Sequence, residues 1–213
     1  THEPKIIIAY TIKPVIWTGI ILSLIKNRIK FFPIITGLGY GLQGGSLFRN
    51  ILSIGINFLY GRSLNKAKNV FFQNEDNKNL FIKNNLVSVS QSIMVRGSGV
   101  NLNKFKYSNI SLEKFTFIMI SRILKEKGVI EYLKAARILK RQHPEINFIL
   151  AGPIDYEGDY VKESLILEFV HNGIIDYIGN VNEVSDLLSK STVCVLPSYH
   201  EGLPRILLES LAV

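Results

Sequence analysis

The stretch that decides the fold is residues 115–151, which reads FTFIMISRILKEKGVIEYLKAARILKRQHPEINFILA. The apolar run at Phe115–Ser121 predicts a buried strand, and Asn147–Ala151 predicts a second one. Between them, Val129–Gln142 predicts a helix that follows a charged loop. A strand, a helix and a strand in this order are typical of two parallel strands joined by a crossover helix.

The same alternation continues to the end of the chain. Further strands are predicted at Ile174–Ile178 and Val193–Leu196, and further helices at Tyr160–His171, at Val184–Lys190 and from Pro204 onward. Because the strands are almost entirely apolar, they indicate a parallel sheet that is covered on both faces. Ligands of such sheets bind at the carboxyl ends of the strands, so the residues at those ends are the candidates for function.

The first strand is followed by two cations and then by the start of a helix. Arg122 and Lys127 would stand beside the helix N-terminus, whose unpaired N–H groups also attract anions. This arrangement predicts a diphosphate site, and a solvated basic loop is the alternative. The next two strands end at Gly152 and Gly179, where a ligand could approach the backbone closely or the chain could simply turn.

The fourth strand is followed by PSYHEGLPRILLE, residues 197–209. This places Glu201 on a loop and Glu209 inside a helix that starts at Pro204. Eight residues of helix rise about 12 Å, whereas the paired carboxylates of a glycosidase stand about 5–9.5 Å apart and flank the bond. Two carboxylates on one side of one element suit the binding of two parts of one ligand, such as hydroxyls on two sugar rings.

The first half of the chain also alternates. Strands are predicted at Lys5–Tyr10, Phe31–Thr36, Asn69–Gln73 and Ser92–Arg96, with helices at about Pro14–Lys26, Ser46–Leu64 and Asp76–Asn84. On the long helix, Leu47, Ile51, Ile54 and Phe58 recur at helical spacing, which predicts a core face; a basic helix lying on a membrane is the alternative. A polar linker follows, and we place the domain boundary between residues 106 and 107.

Charge is divided unequally between these halves. Residues 1–106 contain 14 Lys and Arg against 3 Asp and Glu, and residues 107–213 contain 11 against 14. An anionic membrane surface is a better partner for the basic half than nucleic acid, because no zinc-finger or RNP signature is present. Lys13-Pro14 interrupts the most apolar stretch, so no bilayer span is predicted. With no signal peptide and one cysteine, Cys194, the protein is expected to be soluble or peripheral on the cytoplasmic side.

Two motifs carry a resemblance to a known family. Glu201-x7-Glu209, written EGLPRILLE, resembles the donor-binding signature of retaining glycosyltransferases of family 4, and SRILKEKG (121–128) resembles the family's Arg/Lys segment. The stretch ITGLGYG (35–41) is similar to transferases that build polyprenyl-linked saccharides. The resemblance implies the α/β GT-B fold, with two Rossmann-like domains and parallel sheets. Residues 1–106 would be the C-terminal part of the acceptor-side domain and 107–213 the N-terminal part of the nucleotide-sugar domain, both incomplete.

The resemblance also implies a catalytic role for the two cations. Arg122 and Lys127 would hold the donor diphosphate and stabilise its charge as the glycosidic bond breaks, with retention of configuration. No metal and no other cofactor is implied, because the cations and the helix end replace the divalent ion that other transferases use. No Asp-x-Asp triplet is present, which agrees with this expectation.

The remaining roles fall on the last motif. Glu201 would be catalytic and lie against the transferred sugar, whose hydroxyls would bind the backbone amides of Gly202 and Leu203. Glu209 would accept hydrogen bonds from the nucleotide ribose. Many relatives have a histidine after the strand at Phe31–Thr36, where this chain has Thr36-Gly37, so we assign no catalytic base in the first half.

The function that follows is transfer of a sugar from a UDP-linked donor to a polyprenyl-linked or other saccharide acceptor. Such an enzyme would assemble cell-surface polysaccharide or glycan at the inner face of a bacterial plasma membrane. Two alternatives stay open: a non-catalytic product of a truncated gene, since the chain is shorter than two full domains, and a nucleotide-sugar epimerase. An NAD-dependent oxidoreductase is excluded for want of Gly-x-Gly-x-x-Gly followed by an acidic residue.

Overall fold

A computed structural model of the chain describes residues 4–25, 28–37, 47–97, 99–107 and 114–213, and for residues 47–53 it describes the backbone alone. Most of the ITGLGYG stretch, together with the side chains of Leu47 and Ile51, therefore lies outside the described part.

The chain divides into two compact units. The first comprises Thr1–Ser98 and Glu201–Leu203, and the second comprises Gly99–His200 and Pro204–Val213. The assignment of 1–106 and 107–213 to parts of two larger domains stays a prediction.

The first unit contains a four-stranded parallel sheet in the order β1-β2-β3-β4. Val15, Phe31, Tyr60, Phe72 and Phe81 lie among the buried side chains that hold its helices on the sheet. Each apolar side chain that is buried in this way stabilises the fold by about 1.5–3 kcal/mol relative to an exposed one. The elements, in chain order, are β1 (Ile6–Tyr10), α1 (Ile12–Leu24), β2 (Lys30–Ile35), α2 (Leu47–Leu64), β3 (Val70–Phe72), α3 (Glu75–Lys83) and β4 (Ser92–Met94).

The face of α2 that packs in the core differs from the predicted one. Ile54 and Phe58 are 69% and 70% exposed, so the prediction that they face the core is wrong. Among the α2 residues whose side chains are described, Tyr60, Ser63 and Leu64 are buried, and the Ser63 hydroxyl donates to the Val15 carbonyl at 2.7 Å. The prediction failed because apolar residues occur on more than one side of this helix, and a small residue, Ser63, makes the contact with α1.

The second unit contains a parallel sheet in the order β7-β6-β5-β8. The elements are β5 (Thr116–Ile120), a 3₁₀ turn (Lys125–Lys127), α4 (Val129–Gln142), β6 (Asn147–Ala151), α5 (Glu163–His171), β7 (Asp176–Gly179), α6 (Val184–Ser189), β8 (Val193–Cys194) and α7 (Arg205–Ala212). α4 and β6 have the predicted bounds. Two units of parallel strands and covering helices confirm the predicted α/β fold class with parallel sheets.

The central pair β5–β6 is apolar on both faces because helices cover both. Met119, Leu133, Phe148 and Leu150 belong to one buried cluster, while Ile118 belongs to another. The buried Tyr132 hydroxyl lies 3.1 and 2.9 Å from the carbonyl oxygens of Phe117 and Ile149 and shares its single proton between them, and burial raises its pKa above the ordinary value. This tyrosine therefore attaches α4 to the two central strands.

Two further expectations concern single features. Cys194 is partly buried on β8, and burial raises the pKa of its thiol, although a hydrogen bond from Ser210 opposes the shift. Among the described residues, no helix combines the length and the apolar character that a bilayer crossing requires.

Candidate functional site

The loop after β5 carries the two predicted cations to the start of α4. Gly128 adopts the left-handed conformation (φ 76°) directly before the helix, and a Cβ there would overlap the carbonyl oxygen of Pro197. Glycine is therefore required at this position. Lys127 ends the 3₁₀ turn, partly buried, one residue before that glycine. The loop thus joins the cations to a helix N-terminus, the feature that attracts anions.

Arg122 is already held by a carboxylate. Its Nη1 donates to Asp155 Oδ2 at 2.6 Å, with the arginine side chain 56% exposed and the aspartate 23% exposed. Sequence reasoning missed Asp155, although it lies three residues after Gly152, at the end of the neighbouring strand. The rule that polar residues at strand ends carry function could have found it.

The carboxyl ends of β5, β6 and β7 meet at one edge of the sheet. The backbone N–H of Ser121 donates to the Ala151 carbonyl at 3.0 Å, and the backbone N–H of Gly152 donates to the Gly179 carbonyl at 2.7 Å. Gly152 has a φ of 131°, and a Cβ on it would overlap the carbonyl oxygen of Ser121. The two predicted glycines therefore stand beside the loop that bears Arg122, and Gly152 is needed there for close backbone contact.

The loop after β8 lies against the loop after β5. The backbone N–H of Tyr199 donates to the Glu126 carbonyl at 3.0 Å, and the Tyr199 hydroxyl donates to Glu131 Oε1 at 2.8 Å. The hydrogen bond and the charge of Glu131 raise the pKa of Tyr199 above its ordinary value. These contacts fix the chain up to His200 at the same edge of the sheet as Arg122.

Glu209 lies on α7 and is mostly buried. Its carboxylate is 12% exposed and accepts a hydrogen bond at 2.9 Å from Arg205, which is 67% exposed and one turn earlier. Sequence reasoning singled out Glu209 but gave Arg205 no role. The i, i+4 spacing of opposite charges on one helix was the signal for the pair.

The segment Glu201–Leu203 belongs to the first unit. The Asn74 side chain donates through Nδ2 to the carbonyls of Glu201 and Gly202, both at 2.8 Å. A Cβ on Gly202 would overlap the carbonyl oxygen of Thr36, so a glycine is required. These bonds use carbonyl groups, whereas the predicted sugar contacts use the backbone amides of Gly202 and Leu203.

The predicted site residues therefore fall into two groups. Arg122, Lys127 and Glu209 belong to the second unit, and the segment 201–203 belongs to the first. Their roles toward a donor stay predictions. Within the ranges that the structure describes, no three His, Cys, Asp or Glu side chains come together as possible metal ligands, and the metal-free chemistry also stays a prediction.

Cations, glycines and a helix N-terminus at the carboxyl edge of a parallel sheet are typical of α/β proteins that bind ligands at the ends of their strands. Comparison with known proteins identifies the protein family. The profile of the family described as "Glycosyl transferases group 1" matches residues 100–213. The chain belongs to this family, which confirms the prediction of a glycosyltransferase sequence.

Curated relatives have names that agree with the family. The chain is 32% identical over 198 residues to the N,N'-diacetylbacillosaminyl-diphospho-undecaprenol alpha-1,3-N-acetylgalactosaminyltransferase of Campylobacter jejuni, covering 85% of this chain and 50% of that one. It is 24% identical over 206 residues to the UDP-Gal:alpha-D-GlcNAc-diphosphoundecaprenol alpha-1,3-galactosyltransferase of Escherichia coli, covering 91% and 52%. The chain thus spans about half the length of these two relatives.

Solved structures share the fold. Sucrose-phosphate synthase from Thermosynechococcus elongatus matches with a TM-score of 0.75 at 20% identity, covering 97% of this chain and 53% of that one. The Anabaena HepE protein in complex with UDP matches with a TM-score of 0.72 at 18% identity, covering 96% and 57%.

Proposed function

We propose that the protein transfers a sugar from a nucleoside-diphosphate sugar, UDP-linked, to a lipid-linked saccharide, with retention of configuration. The observation that carries the proposal is the loop after β5, which bears Arg122 and Lys127 and leads directly into the N-terminus of α4. Two side-chain cations and a helix end form a site that matches the charge of a diphosphate.

The chemistry follows from the charge that develops on the leaving group. As the bond between sugar and diphosphate breaks, negative charge grows on the diphosphate, and Arg122 and Lys127 neutralise it. Stabilisation of this kind in a closed site is worth several kcal/mol, on the order of 3–4. The cations are covalently fixed to the loop, so in this proposal no divalent ion and no other cofactor takes part.

The other predicted residues bind the rest of the donor. Glu209 accepts hydrogen bonds from the ribose through its carboxylate, one oxygen of which also binds Arg205. Glu201 lies against the transferred sugar, and the backbone amides of Gly202 and Leu203 bind the sugar hydroxyls. An acceptor hydroxyl then attacks the anomeric carbon from the same face from which the diphosphate departs, its proton passes to the departing diphosphate oxygen, and the configuration is retained.

The acceptor class rests on the relatives. Both transferases named above act, by their names, on saccharides joined to undecaprenol through a diphosphate. Other relatives carry the name of capsular polysaccharide biosynthesis glycosyltransferases of Staphylococcus aureus, at 23% and 29% identity. A lipid-linked acceptor in the assembly of a surface polysaccharide or glycan is the class that these names support.

Contact with a membrane completes the proposal. On α1, Trp17, Ile21 and Leu24 are 61%, 54% and 72% exposed, and their spacing puts them on one side of the helix. The surrounding half of the chain is strongly basic. An apolar stripe with a tryptophan and nearby cations suits the interface of an anionic bilayer, here the inner face of the plasma membrane.

A transfer assay tests the function. The chain is incubated with radiolabelled UDP-GalNAc, UDP-Gal or UDP-GlcNAc and a diphospho-undecaprenol saccharide, and the label is followed into the organic phase and into free sugars. We expect one donor to label the lipid fraction with the anomeric configuration of the donor, and Arg122→Ala to abolish the transfer. Label in an epimerised nucleotide sugar would instead show an epimerase, and absence of both products together with no binding of UDP would show a non-catalytic chain.

A further inference from the structure

A segment of the second unit, residues 153–161, contacts the cation-bearing loop at both of its ends, and its last three residues run antiparallel to the loop. Three backbone N–H groups donate to backbone carbonyls here. Ile123 donates to Pro153 at 2.9 Å, Lys125 donates to Asp159 at 2.9 Å, and Val161 donates to Ile123 at 3.3 Å. Ile123 and Val161 are buried beneath this contact. The backbone of the 153–161 segment is therefore fixed relative to the loop that carries Arg122.

Two ion pairs join the same pieces of chain. Asp155 binds Arg122 at 2.6 Å, and Asp159 binds Lys125 at 2.7 Å. They differ in burial, because Asp155 is 23% exposed whereas Asp159 is 58% exposed. Asp155 also accepts the backbone N–H of Glu157 at 3.2 Å through its other oxygen. The Asp155 carboxylate is therefore held through both oxygens, and the guanidinium it binds has a fixed partner.

We propose that Asp155 is the positioning residue of Arg122, orienting its guanidinium for the diphosphate of a nucleotide. This inference rests on the proposed function, which places the diphosphate at Arg122. A guanidinium has five N–H donors, and Asp155 Oδ2 engages it at Nη1. An arginine side chain that is 56% exposed loses considerable rotamer freedom when it binds an anion. Asp155 removes part of that loss before the nucleotide arrives.

The experiment measures binding of UDP and of uridine to the chain by calorimetry. Asp155→Ala should weaken UDP binding about fivefold, because the exposed pair is worth up to about 1 kcal/mol, and should leave uridine unchanged. Asp155→Asn keeps an acceptor oxygen and should recover part of the affinity. A merely structural role would weaken both ligands, since uridine lacks only the diphosphate.

Asp159→Ala is the matched control, since it removes an ion pair of similar length from the same segment without touching Arg122. It should change UDP affinity less than twofold. The inference is overturned if Asp155→Ala leaves UDP affinity unchanged or raises it, the latter showing that the carboxylate competes with the diphosphate. It is also overturned if uridine binding falls equally. Arg122→Ala separates the two claims: if it does not weaken UDP, the proposed diphosphate site itself fails.

Discussion

At the scale of single residues, the candidate site of the second unit consists of charges that already have partners. Asp155 holds Arg122, and Arg205 holds Glu209, at 2.6 and 2.9 Å. Because both arginines are more than half exposed, solvent screens these pairs, and each adds at most about 1 kcal/mol to stability. Their main effect is on orientation, because each partner limits the rotamers of a side chain that a nucleotide would contact.

Some positions of the site also require a particular backbone conformation, and a substitution of Gly152 tests this. Its φ of 131° and the overlap of a Cβ with the Ser121 carbonyl oxygen predict that Gly152→Ala lowers the free energy of unfolding by about 3 kcal/mol or more. Gly173→Ala is the control, since φ is 63° there and nothing lies within 4 Å of the added Cβ; it should cost about 1 kcal/mol. Urea denaturation measures both, and equal losses would contradict the close approach at Gly152.

At the scale of elements, the sequence predicts those segments whose local pattern and tertiary surroundings agree. The bounds of α4 were predicted because Gly128 precedes an apolar periodicity that the sheet then buries. The helix expected from Tyr160 begins instead at Glu163, because Tyr160 bridges to Leu124 and extends the chain. Long-range pairing of this kind leaves no signal in the local sequence.

The candidate site shows the same limit. The cations and the carboxylates were identified from their positions after strands, whereas the pairing of Asp155 with Arg122, 33 residues apart, leaves no signal in the local sequence. On α2 the apolar pattern has no single face, and only packing against α1 decides that Tyr60 and Ser63 are buried while Phe58 is exposed.

The buried face of α4 supplies a test of the element itself. Leu133 is 1% exposed, so Leu133→Ala should lower the free energy of unfolding by about 2–5 kcal/mol through lost burial and a cavity. Ile138 on the same helix is 59% exposed, and Ile138→Ala should change the free energy of unfolding by less than about 0.5 kcal/mol. Chemical denaturation of both variants measures these changes. A similar loss of unfolding free energy in the two variants would contradict the assignment of Leu133 to the buried face of α4.

At the scale of the whole molecule, the uneven charge becomes informative once the units are known. The net charge of +8 combines a basic first half with a slightly acidic second half. The exposed apolar residues of α1 lie in the basic half, and the candidate diphosphate site lies in the other. The proposed membrane surface and the proposed donor site therefore belong to different units.

Flotation with vesicles tests the membrane surface. The chain should bind phosphatidylglycerol vesicles at low salt and should not bind phosphatidylcholine vesicles. At about 1 M salt it should lose most of the binding, because the charges are screened. Trp17→Ala should weaken binding about tenfold, since a buried aromatic side chain is worth about 1.5 kcal/mol or more. Ile138→Ala, an exposed apolar residue of the second unit, should behave like the unsubstituted chain. Equal binding to both kinds of vesicle would refute the proposed surface.

The central claim is that the second unit binds a nucleoside diphosphate through Arg122 and Glu209, and calorimetric titration with UDP and uridine tests it most directly. The unsubstituted chain should bind UDP at least tenfold more tightly than uridine, because charged hydrogen bonds to the diphosphate are worth about 1.5–3 kcal/mol each. Arg122→Ala should reduce this difference, with Lys127 and the helix end supplying what is left, and should leave uridine binding intact, whereas Glu209→Ala should weaken both ligands. A chain that binds UDP no more tightly than uridine, or whose preference for UDP is the same with Arg122→Ala, would contradict the account.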